Sequence, residues 1–281
     1  MKSVETFDAL QEALLRLKRP LGLVPTMGYL HEGHLSLVKR AKQDCASVVV
    51  SIFANPTQFA PGEDLENYPR DIDRDLGLLK GVGTNLVWIP SVKSMYPDDF
   101  QTWINVEGVS KPLEGRVRIN HFRGVATIVS KLFNSVRPDK AYFGQKDAQQ
   151  AVVIEQMNRD LNYPIEIVIC PIIRELDGLA MSSRNSYLNE RERHAALCLS
   201  RGLNTARDAF QKGEKHADKI REIVANVVND EQLAELQYVS CAHPETLEEL
   251  EGEIESCLLS MAVFIGRTRL IDNIVLLQPN T

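Results

Sequence analysis

The sequence predicts an α/β protein in which a doubly wound parallel sheet is followed by a smaller α+β domain. Over roughly the first 170 residues, short apolar segments alternate with segments whose apolar residues recur at helical spacing, as in βαβ units. Residues 47–53 are apolar on both faces, which is typical of a central parallel strand. Farther along, helices follow helices and strands follow strands. The chain therefore divides into predicted domains of residues 1–175 and 176–281.

The elements of the first domain follow from their apolar spacing. An amphipathic helix is expected from residue 7 to residue 17, before Pro20, because proline cannot continue a helix. Right-handed crossovers then place all the strand-to-helix turns at one edge of the sheet, where such folds bind ligands. Residues 102–106 are compatible with one extra strand. Strands are expected over residues 21–24, 47–53, 86–89, 140–143 and 165–169, and helices over residues 35–42, 72–79, 125–136 and 147–161.

The second domain begins with a helix that carries its own start and stop signals. Asn189 can cap this helix with Glu192 at the third position, and Gly213 can end it. The remaining pattern predicts a helix over residues 220–228 and strands over residues 236–240, 258–265 and 269–277.

Composition excludes several classes of function. The net charge of −6 argues against general nucleic-acid binding, which requires a basic face. The five cysteines form no C-x-x-C pair and are odd in number, which fits reduced thiols in a cytoplasmic protein. The apolar run over residues 257–265 is too short to span a bilayer, and the first residues lack the apolar core of a signal peptide. Neither a P-loop nor a G-x-G-x-x-G motif is present.

The segment Pro25–His34, PTMGYLHEGH, is the strongest functional signal. It joins a predicted buried strand to a predicted helix, and Gly28 and Gly33 allow the backbone to bend and approach a ligand closely. The start of the helix offers free N–H groups and the positive end of its dipole, and His31 and His34 add donors at the same place. This combination favours a phosphate. A His-x-x-His pair also occurs in metal sites, but no convincing third ligand lies nearby in the sequence.

Three later segments carry further polar side chains. Residues 143–147 (FGQKD) contain Lys146 and Asp147 at a strand end, and residues 181–184 (MSSR) combine hydroxyl groups with the guanidinium fork of Arg184. Taken alone, residues 143–147 indicate a helix cap followed by a surface lysine, and residues 181–184 indicate an interdomain turn. Gln58 and Gln150 can orient a small polar substrate without adding charge, although a single Gln usually faces solvent. We interpret the two histidines, Lys146 and Arg184 as one phosphate pocket.

These motifs resemble the H-x-G-H signature of the nucleotidyl-transferring superfamily, and most closely the pantothenate synthetase (pantoate–β-alanine ligase) family. The resemblance extends over nearly the whole chain, through residues 54–59 (ANPTQF), 68–71 (YPRD), 121–125 (HFRGV), 137–150 (RPDKAYFGQKDAQQ), 179–188 (LAMSSRNSYL) and 266–274 (GRTRLIDNI).

The resemblance implies a set of site residues. His34 matches the residue assigned as proton donor, and His31, Lys146 and Arg184 are expected to share in catalysis with it. Gln58 and Gln150 match the residues that bind pantoate, Gln58 also matches a β-alanine contact, and Arg118 is a further expected pocket residue. ATP is expected to contact Met27, Gly28, His31, His34, Gly144, Lys146, Asp147, Ile173, Met181, Ser182, Ser183 and Arg184.

The implied reaction is the ATP-dependent condensation of pantoate with β-alanine, through a pantoyl-adenylate, to pantothenate, AMP and diphosphate. The resemblance also implies Mg²⁺ as cofactor, with ligands left open, and a homodimer. It implies a Rossmann-like first domain whose active site the smaller domain covers. Only small-molecule partners are expected, with no nucleic acid and no membrane. Gln145 and the pair Ile119-Asn120 depart from the family pattern, and these departures are expected to affect rate and affinity rather than identity.

Two other classes of function remain open at this point. A nucleotidyltransferase that stops after moving AMP or CMP onto a phosphate-bearing acceptor would share H-x-G-H. It would need cationic residues for the acceptor phosphate, where this chain offers Gln58 and Gln150. A non-catalytic nucleotide sensor is disfavoured because both histidines, Lys146 and Arg184 are present.

Overall fold

The computed structural model describes residues 1–60 and 62–277, and these fall into two compact units. The first unit comprises residues 1–145 and 150–171, and the second comprises residues 146–149 and the chain from residue 172 onward. The domain boundary expected between residues 175 and 176 stays a prediction.

The first unit is built on a six-stranded parallel sheet with the order β1-β4-β3-β2-β5-β6, so the predicted doubly wound fold is confirmed. Every side chain of β3 is buried, which explains why its sequence is apolar at successive positions. The strands are β1 (Lys2–Val4), β2 (Leu21–Thr26), β3 (Ser47–Ile52), β4 (Leu86–Trp88), β5 (Lys140–Gly144) and β6 (Glu166–Cys170).

The strand order reverses between β2 and β5. From β2 the chain builds β3 and β4 on one side, and it then returns to place β5 and β6 on the other side. Leu23 pairs with Ala141 where the two halves meet. In a doubly wound sheet, the crevice at the carboxyl ends of these two strands is where ligands bind. The PTMGYLHEGH segment follows β2, and Gly144 ends β5, so both lie at this point of the sheet.

Helices cover both faces of the sheet and bury an apolar core on each side. On one face α6 contributes Val125, Leu132 and Phe133, which are nearly inaccessible to solvent. On the other face α2 contributes Leu35, Val38 and Ala41. The helices are α1 (Phe7–Leu14), α2 (Glu32–Asp44), α3 (Ile72–Gly81), α4 (Val92–Met95), α5 (Glu114–Val117), α6 (His121–Val136) and α7 (Ala148–Asp160), with short 3-10 turns at Pro56–Gln58 and Gln145–Asp147.

The second unit packs helices on a three-stranded antiparallel sheet of order β7-β8-β9, which confirms the predicted α+β architecture. Asn189 and Glu192 form the expected capping box. The helix that follows is divided at Ala196 into two segments rather than continuous to Gly213. The elements are α8 (Glu190–Ala195), α9 (Leu197–Gln211), α10 (Ala217–Asn229), β7 (Ala234–Ala242), β8 (Ser256–Ile265) and β9 (Thr268–Leu277), with a 3-10 turn at Ser183–Tyr187.

Two expectations about strands need correction. The extra strand compatible with residues 102–106 is not formed, because the segment pairs with no strand of the sheet. Instead, the Ile104 N–H donates to the Thr127 hydroxyl at 3.0 Å, and Trp103 stacks on Tyr96. The short edge strand β1, which pairs with β4 in parallel, was not predicted from the sequence. Within the described ranges, no helix has both the length and the apolar character needed to cross a membrane.

Helix α6 approaches the 3-10 turn Pro56–Gln58 closely at Gly124. A Cβ atom on Gly124 would lie 2.4 Å from the Thr57 carbonyl oxygen and 2.8 Å from the Gln58 nitrogen. Both of these are backbone atoms, so neither can move aside as a flexible side chain can. The contact matters for the site because Gln58 ends this turn.

We expect Gly124→Ala to lower the free energy of unfolding by about 2 kcal/mol or more, because overpacking forces backbone shifts. Gly77→Ala in α3 is the matched control, since no described atom lies within 4 Å of the Cβ it would add. That control should be neutral or stabilising by up to about 1 kcal/mol, as alanine favours helices over glycine. Urea unfolding of the two variants measures the difference, and equal effects would contradict the close approach.

Candidate active site

The turn after β2 is shaped by two successive residues with positive φ. Gly28 has φ 87° and Tyr29 has φ 51°, a left-handed region that glycine enters without steric cost. The Thr26 hydroxyl donates to the Ser51 carbonyl at 2.8 Å and accepts the Gly28 N–H at 3.3 Å. A Cβ on Gly28 would meet Ile52 at 3.1 Å. The backbone therefore turns sharply between the strand and α2.

The carboxylate of Asp75, on α3, binds the backbone of this turn. It accepts the Tyr29 N–H at 2.7 Å and the Leu30 N–H at 2.8 Å, and its side chain is inaccessible to solvent. Arg74 lies 3.5 Å from the same carboxylate. Burial raises the pKa of the Asp75 carboxyl, while the two backbone donors act in the opposite direction. Sequence reasoning missed this residue, because an acid in the first turn of a helix is common and usually exposed.

His31 and His34 cap the start of α2. His31 is the N-cap residue and accepts the Gly33 N–H on Nδ1 at 3.2 Å, and His34 accepts the His31 N–H on its own Nδ1 at 3.3 Å. The two ring centroids are 4.1 Å apart. The pair thus takes the positions that Ser and Glu occupy in an ordinary capping box.

This capping arrangement decides which ring nitrogens can act as donors. Because Nδ1 of each ring accepts a backbone N–H, the neutral imidazole carries its proton on Nε2. In this tautomer Nε2 is the donor of each ring, and both rings lie at the positive end of the α2 dipole, which suits an anionic group. Across residues 1–60 and 62–277, no cluster of three His, Cys, Asp or Glu side chains is suited to a metal ion. The predicted phosphate role of the pair stays a prediction.

Gln58 is held in place by Asn55, which sequence reasoning did not single out. The Asn55 amide nitrogen donates to Gln58 Oε1 at 3.1 Å and to the Gly124 carbonyl at 3.2 Å. The Gln58 amide nitrogen donates in turn to the Met27 sulfur at 3.0 Å. The structure thus brings Gln58 and Met27 into contact, and it fixes which end of the Gln58 amide donates.

The guanidinium of Arg118 forms hydrogen bonds with other groups of the protein. Its guanidinium makes two hydrogen bonds to the Glu63 carboxylate, at 2.6 and 2.8 Å, and a third to His121 Nε2 at 3.1 Å. His121 Nδ1 donates to the Gln58 carbonyl at 2.7 Å, and Arg118 reaches the same carbonyl at 3.4 Å. Arg118 therefore contacts the Gln58 backbone together with His121. Neither Glu63 nor His121 was among the predicted site residues.

Burial and then the charge of Arg118 lower the pKa of His121 to about 4. The ring is therefore neutral at neutral pH, with its proton on Nδ1 and a lone pair on Nε2 for the Arg118 donor. Burial opposes ionisation of Glu63, but the Arg118 hydrogen bonds and charge leave the pKa of Glu63 below its usual value.

The other predicted residues of the first unit lie near the end of β5. Gly144 is the last residue of β5, and Gln150 lies half-buried in the first turn of α7. Gly144 has open space around the position of an added Cβ.

In the second unit, Lys146 and Asp147 form part of the 3-10 turn before α7. Lys146 Nζ lies 3.7 Å from the Asp147 carboxylate, whose side chain is half exposed. The Lys146 carbonyl accepts a hydrogen bond from the Asn273 amide at 2.9 Å. The lysine backbone is thus tied to β9, a contact that sequence reasoning missed.

The remaining predicted ATP residues belong to a hairpin and the turn after it. The Met181 N–H donates to the Ile173 carbonyl at 2.9 Å, and the hairpin closes through Gly178 with φ 98°. The Ser182 hydroxyl accepts the Arg184 N–H at 3.3 Å and caps the turn Ser183–Tyr187. These hydrogen bonds connect the hairpin from Ile173 to Met181 with the turn that carries Arg184.

Comparisons with known proteins agree over almost the whole chain. The family model described as pantoate-β-alanine ligase matches residues 2–275. A pantothenate synthetase of Herpetosiphon aurantiacus is 53% identical, covering 98% of this chain and 100% of that relative. One from Acetivibrio thermocellus is 51% identical, covering 98% and 99%.

Solved structures agree with these relatives. A pantothenate synthetase from Thermus thermophilus has a TM-score of 0.94 and 42% identity, covering 99% of this chain and 100% of that one. A pantoate-β-alanine ligase from Francisella tularensis, complexed with β-γ ATP and β-alanine, has a TM-score of 0.81 and 32% identity, covering 98% and 97%.

The shifted pKa of His121 predicts how stability depends on pH. The ring titrates near 6.5 in the unfolded chain and near 4 in the folded protein, so between these values the unfolded chain binds more protons. The free energy of unfolding should therefore fall as pH is lowered from about 6.5 to about 4, with His121 contributing about 3 kcal/mol of the loss.

Denaturant unfolding at several pH values in this window, on the wild type and on His121→Asn, isolates this contribution. The variant should show a shallower dependence, because the other titrating groups are common to both proteins. Parallel pH profiles for the two proteins would contradict the neutral, buried state of His121.

Proposed function

The chain belongs to the pantoate–β-alanine ligase family, and we propose that it condenses pantoate with β-alanine, driven by ATP, through a pantoyl-adenylate. The products are pantothenate, AMP and diphosphate, and pantothenate is a precursor of coenzyme A. The observation that carries the proposal is the pair His31 and His34, which caps the start of α2 through Nδ1 of each ring and so leaves the ring proton on Nε2.

Activation with ATP solves a chemical problem of the substrate. A carboxylate is a poor acyl donor because its leaving group would be oxide, and adenylation replaces this with AMP. The pantoate carboxylate attacks the α-phosphorus of ATP, and diphosphate leaves. The free amine of β-alanine then attacks the carbonyl of the adenylate, and AMP leaves.

In the first step negative charge develops on the oxygens of the α-phosphate. The Nε2–H groups of His31 and His34 and the N–H groups at the start of α2 are the donors proposed to stabilise that charge. The capping hydrogen bonds to Nδ1 fix the orientation of both rings. His34 is the proposed proton donor.

Pantoate is proposed to bind beside the two glutamines. Because Asn55 occupies Gln58 Oε1, the Gln58 amide nitrogen is the end that can reach a substrate oxygen. Its partner in the structure is the sulfur of Met27, a weak acceptor that a substrate oxygen can replace at small cost. Gln150 is proposed to act in the same way, and Gln58 is also the proposed β-alanine contact. We propose that Arg118 serves this site through the Gln58 carbonyl.

The phosphates and the nucleoside are assigned by resemblance to the family. Lys146 and Arg184 are proposed to bind phosphate oxygens, with Ser182 and Ser183 adding hydroxyl donors. The remaining proposed ATP contacts are Met27, Gly28, Gly144, Asp147, Ile173 and Met181.

Mg²⁺ is proposed to accompany ATP. This ion keeps several waters and is usually held by substrate phosphates together with one or two carboxylates, so no dedicated protein cage is needed. The half-exposed Asp147 carboxylate fits that requirement and would hold the ion directly or through water. When bound, Mg²⁺ neutralises charge on the phosphates.

We also propose a homodimer, which is typical of the family, and a cytoplasmic location. The second proposal is supported by the five cysteines, all of which are buried free thiols.

The product set tests the proposed function directly. Enzyme, Mg²⁺, ATP and pantoate should release diphosphate in an amount close to the enzyme present and then stop, because the adenylate stays bound. β-Alanine should then release AMP and pantothenate together and restore turnover. Isotope exchange between diphosphate and ATP should require pantoate but not β-alanine.

Other outcomes would overturn parts of the proposal. A stable nucleotidylated product with no need for β-alanine would indicate a nucleotidyltransferase. Diphosphate release that requires β-alanine would remove support for the adenylate, and the absence of AMP would exclude the ligase.

The two histidine roles, capping and catalysis, can be separated by substitution. In His34→Asn the amide oxygen can replace Nδ1 as the acceptor of the His31 N–H, but the Nε2–H donor is lost. We expect a drop in kcat on the order of a hundredfold or more, with a much smaller rise in KM for pantoate and little loss of stability. His31→Asn should behave in the same way.

His194→Ala is the matched control, because this histidine is exposed on α8 and was not assigned to the site. Steady-state kinetics and thermal unfolding of the three variants give the comparison. Near-normal kcat in both His34→Asn and His31→Asn would place the reacting phosphate elsewhere.

A further inference from the structure

Two adjacent polar residues of β9, Asp272 and Asn273, are almost completely buried. Their exposed fractions are 1% and 3%, although the neighbouring strand β8 is apolar at Leu259, Met261 and Val263. Burying an amide and a carboxylate in such surroundings costs free energy unless each finds hydrogen-bond partners. Asn273 and Asp272 each have a hydrogen-bond partner outside the sheet, in segments that carry proposed ATP contacts.

Asn273 binds the backbone of Lys146. Its amide nitrogen donates to the Lys146 carbonyl at 2.9 Å. Lysine carries its charge on a flexible four-carbon stem, so the place the ammonium can reach depends on where the backbone is held. Fixing the carbonyl limits the rotation of the peptide that carries the side chain.

Asp272 binds the hairpin that leads to Ser182 and Arg184. Its carboxylate accepts two hydrogen bonds from Arg174, at 2.7 and 3.0 Å, and the same Arg174 donates to the Gly178 carbonyl at 3.0 Å. Asp272 also accepts the backbone N–H of Asn273 at 2.8 Å. The carboxylate thus links the hairpin to the strand position that holds Lys146.

We propose that Asn273 is a positioning residue for Lys146. Together, Asp272 and Asn273 fix the positions of the two segments that carry the proposed phosphate contacts, which are the backbone at Lys146 and the hairpin that leads to Arg184. The proposal rests on the proposed function, since the phosphate role of Lys146 is itself a proposal. Asn273 does not touch the reacting atoms. It acts by holding the Lys146 backbone, so its effect on the reaction should depend on the lysine side chain.

A double-mutant cycle tests this dependence. The four proteins are wild type, Asn273→Ala, Lys146→Ala and the double variant, and the measured quantity is the single-turnover rate of diphosphate release with enzyme in excess. Following the reaction for hours makes slow variants measurable. Asn273→Ala should slow wild type by about tenfold or more, because a small misplacement of a charge-stabilising group is costly. In the Lys146→Ala background the same change should cost less than about twofold.

Ser260→Ala is the matched control. Ser260 pairs with Asn273 across the β8–β9 ladder, is similarly buried, and its hydroxyl has no hydrogen-bond partner among the described residues. It should change the rate by less than about twofold in either background. Thermal unfolding of each protein shows whether it is folded, and if Asn273→Ala is not, Asn273→Ser replaces it in the same cycle.

The outcomes separate this inference from the proposed function. If Lys146→Ala keeps the wild-type rate, the proposed role of Lys146 fails and the positioning role fails with it. If Lys146→Ala is slow and Asn273→Ala costs the same factor in both backgrounds, Asn273 does not act through the lysine. A wild-type rate in Asn273→Ala also overturns the inference, whereas loss of its effect in the Lys146→Ala background supports it.

Discussion

The buried carboxylate of Asp75 is the interaction on which the turn after β2 depends. That turn places two positive φ values in succession and leaves the N–H groups of Tyr29 and Leu30 pointing into the protein, where no strand can pair with them. A buried N–H without an acceptor destabilises the folded protein by as much free energy as a lost hydrogen bond. The Asp75 carboxylate accepts both N–H groups and so avoids this penalty twice. The turn held in this way leads directly into His31, the N-cap residue of α2.

The order of the elements in the first unit could be predicted because each strand or helix shows a characteristic spacing of apolar residues over a short stretch of sequence. Expectations failed where the deciding contact is distant in sequence. Residues 102–106 have the composition of a strand, but a strand exists only when a neighbour pairs with it, and here the Ile104 N–H finds the Thr127 hydroxyl instead. Strand β1 has only three residues, too few for a pattern, and its place at the edge is set by β4, more than eighty residues later.

The same distinction applies to the candidate site. Side chains that can act on a substrate were visible in the sequence because they stand in short motifs at strand ends, as His31 and His34 do. The residues that hold them were not visible, because each acts across the fold. Asp75 lies 45 residues from Leu30, and His121 lies 63 residues from the carbonyl of Gln58 that it binds. No local pattern distinguishes these side chains from an ordinary surface acid or a satisfied core histidine.

A common plan emerges from these contacts. In each case a hydrogen bond within the protein fixes a backbone group, one end of an amide or the orientation of a ring. Asn55 occupies the oxygen of Gln58 and so decides which end donates, and the two Nδ1 atoms of the capping histidines are committed so that Nε2 donates. Orientation is therefore established before any substrate arrives, and none of it must be gained from binding energy. It follows that H-x-G-H in a related chain identifies the groups proposed to react, and that an acid at the position of Asp75 indicates that the turn before them is held in the same way.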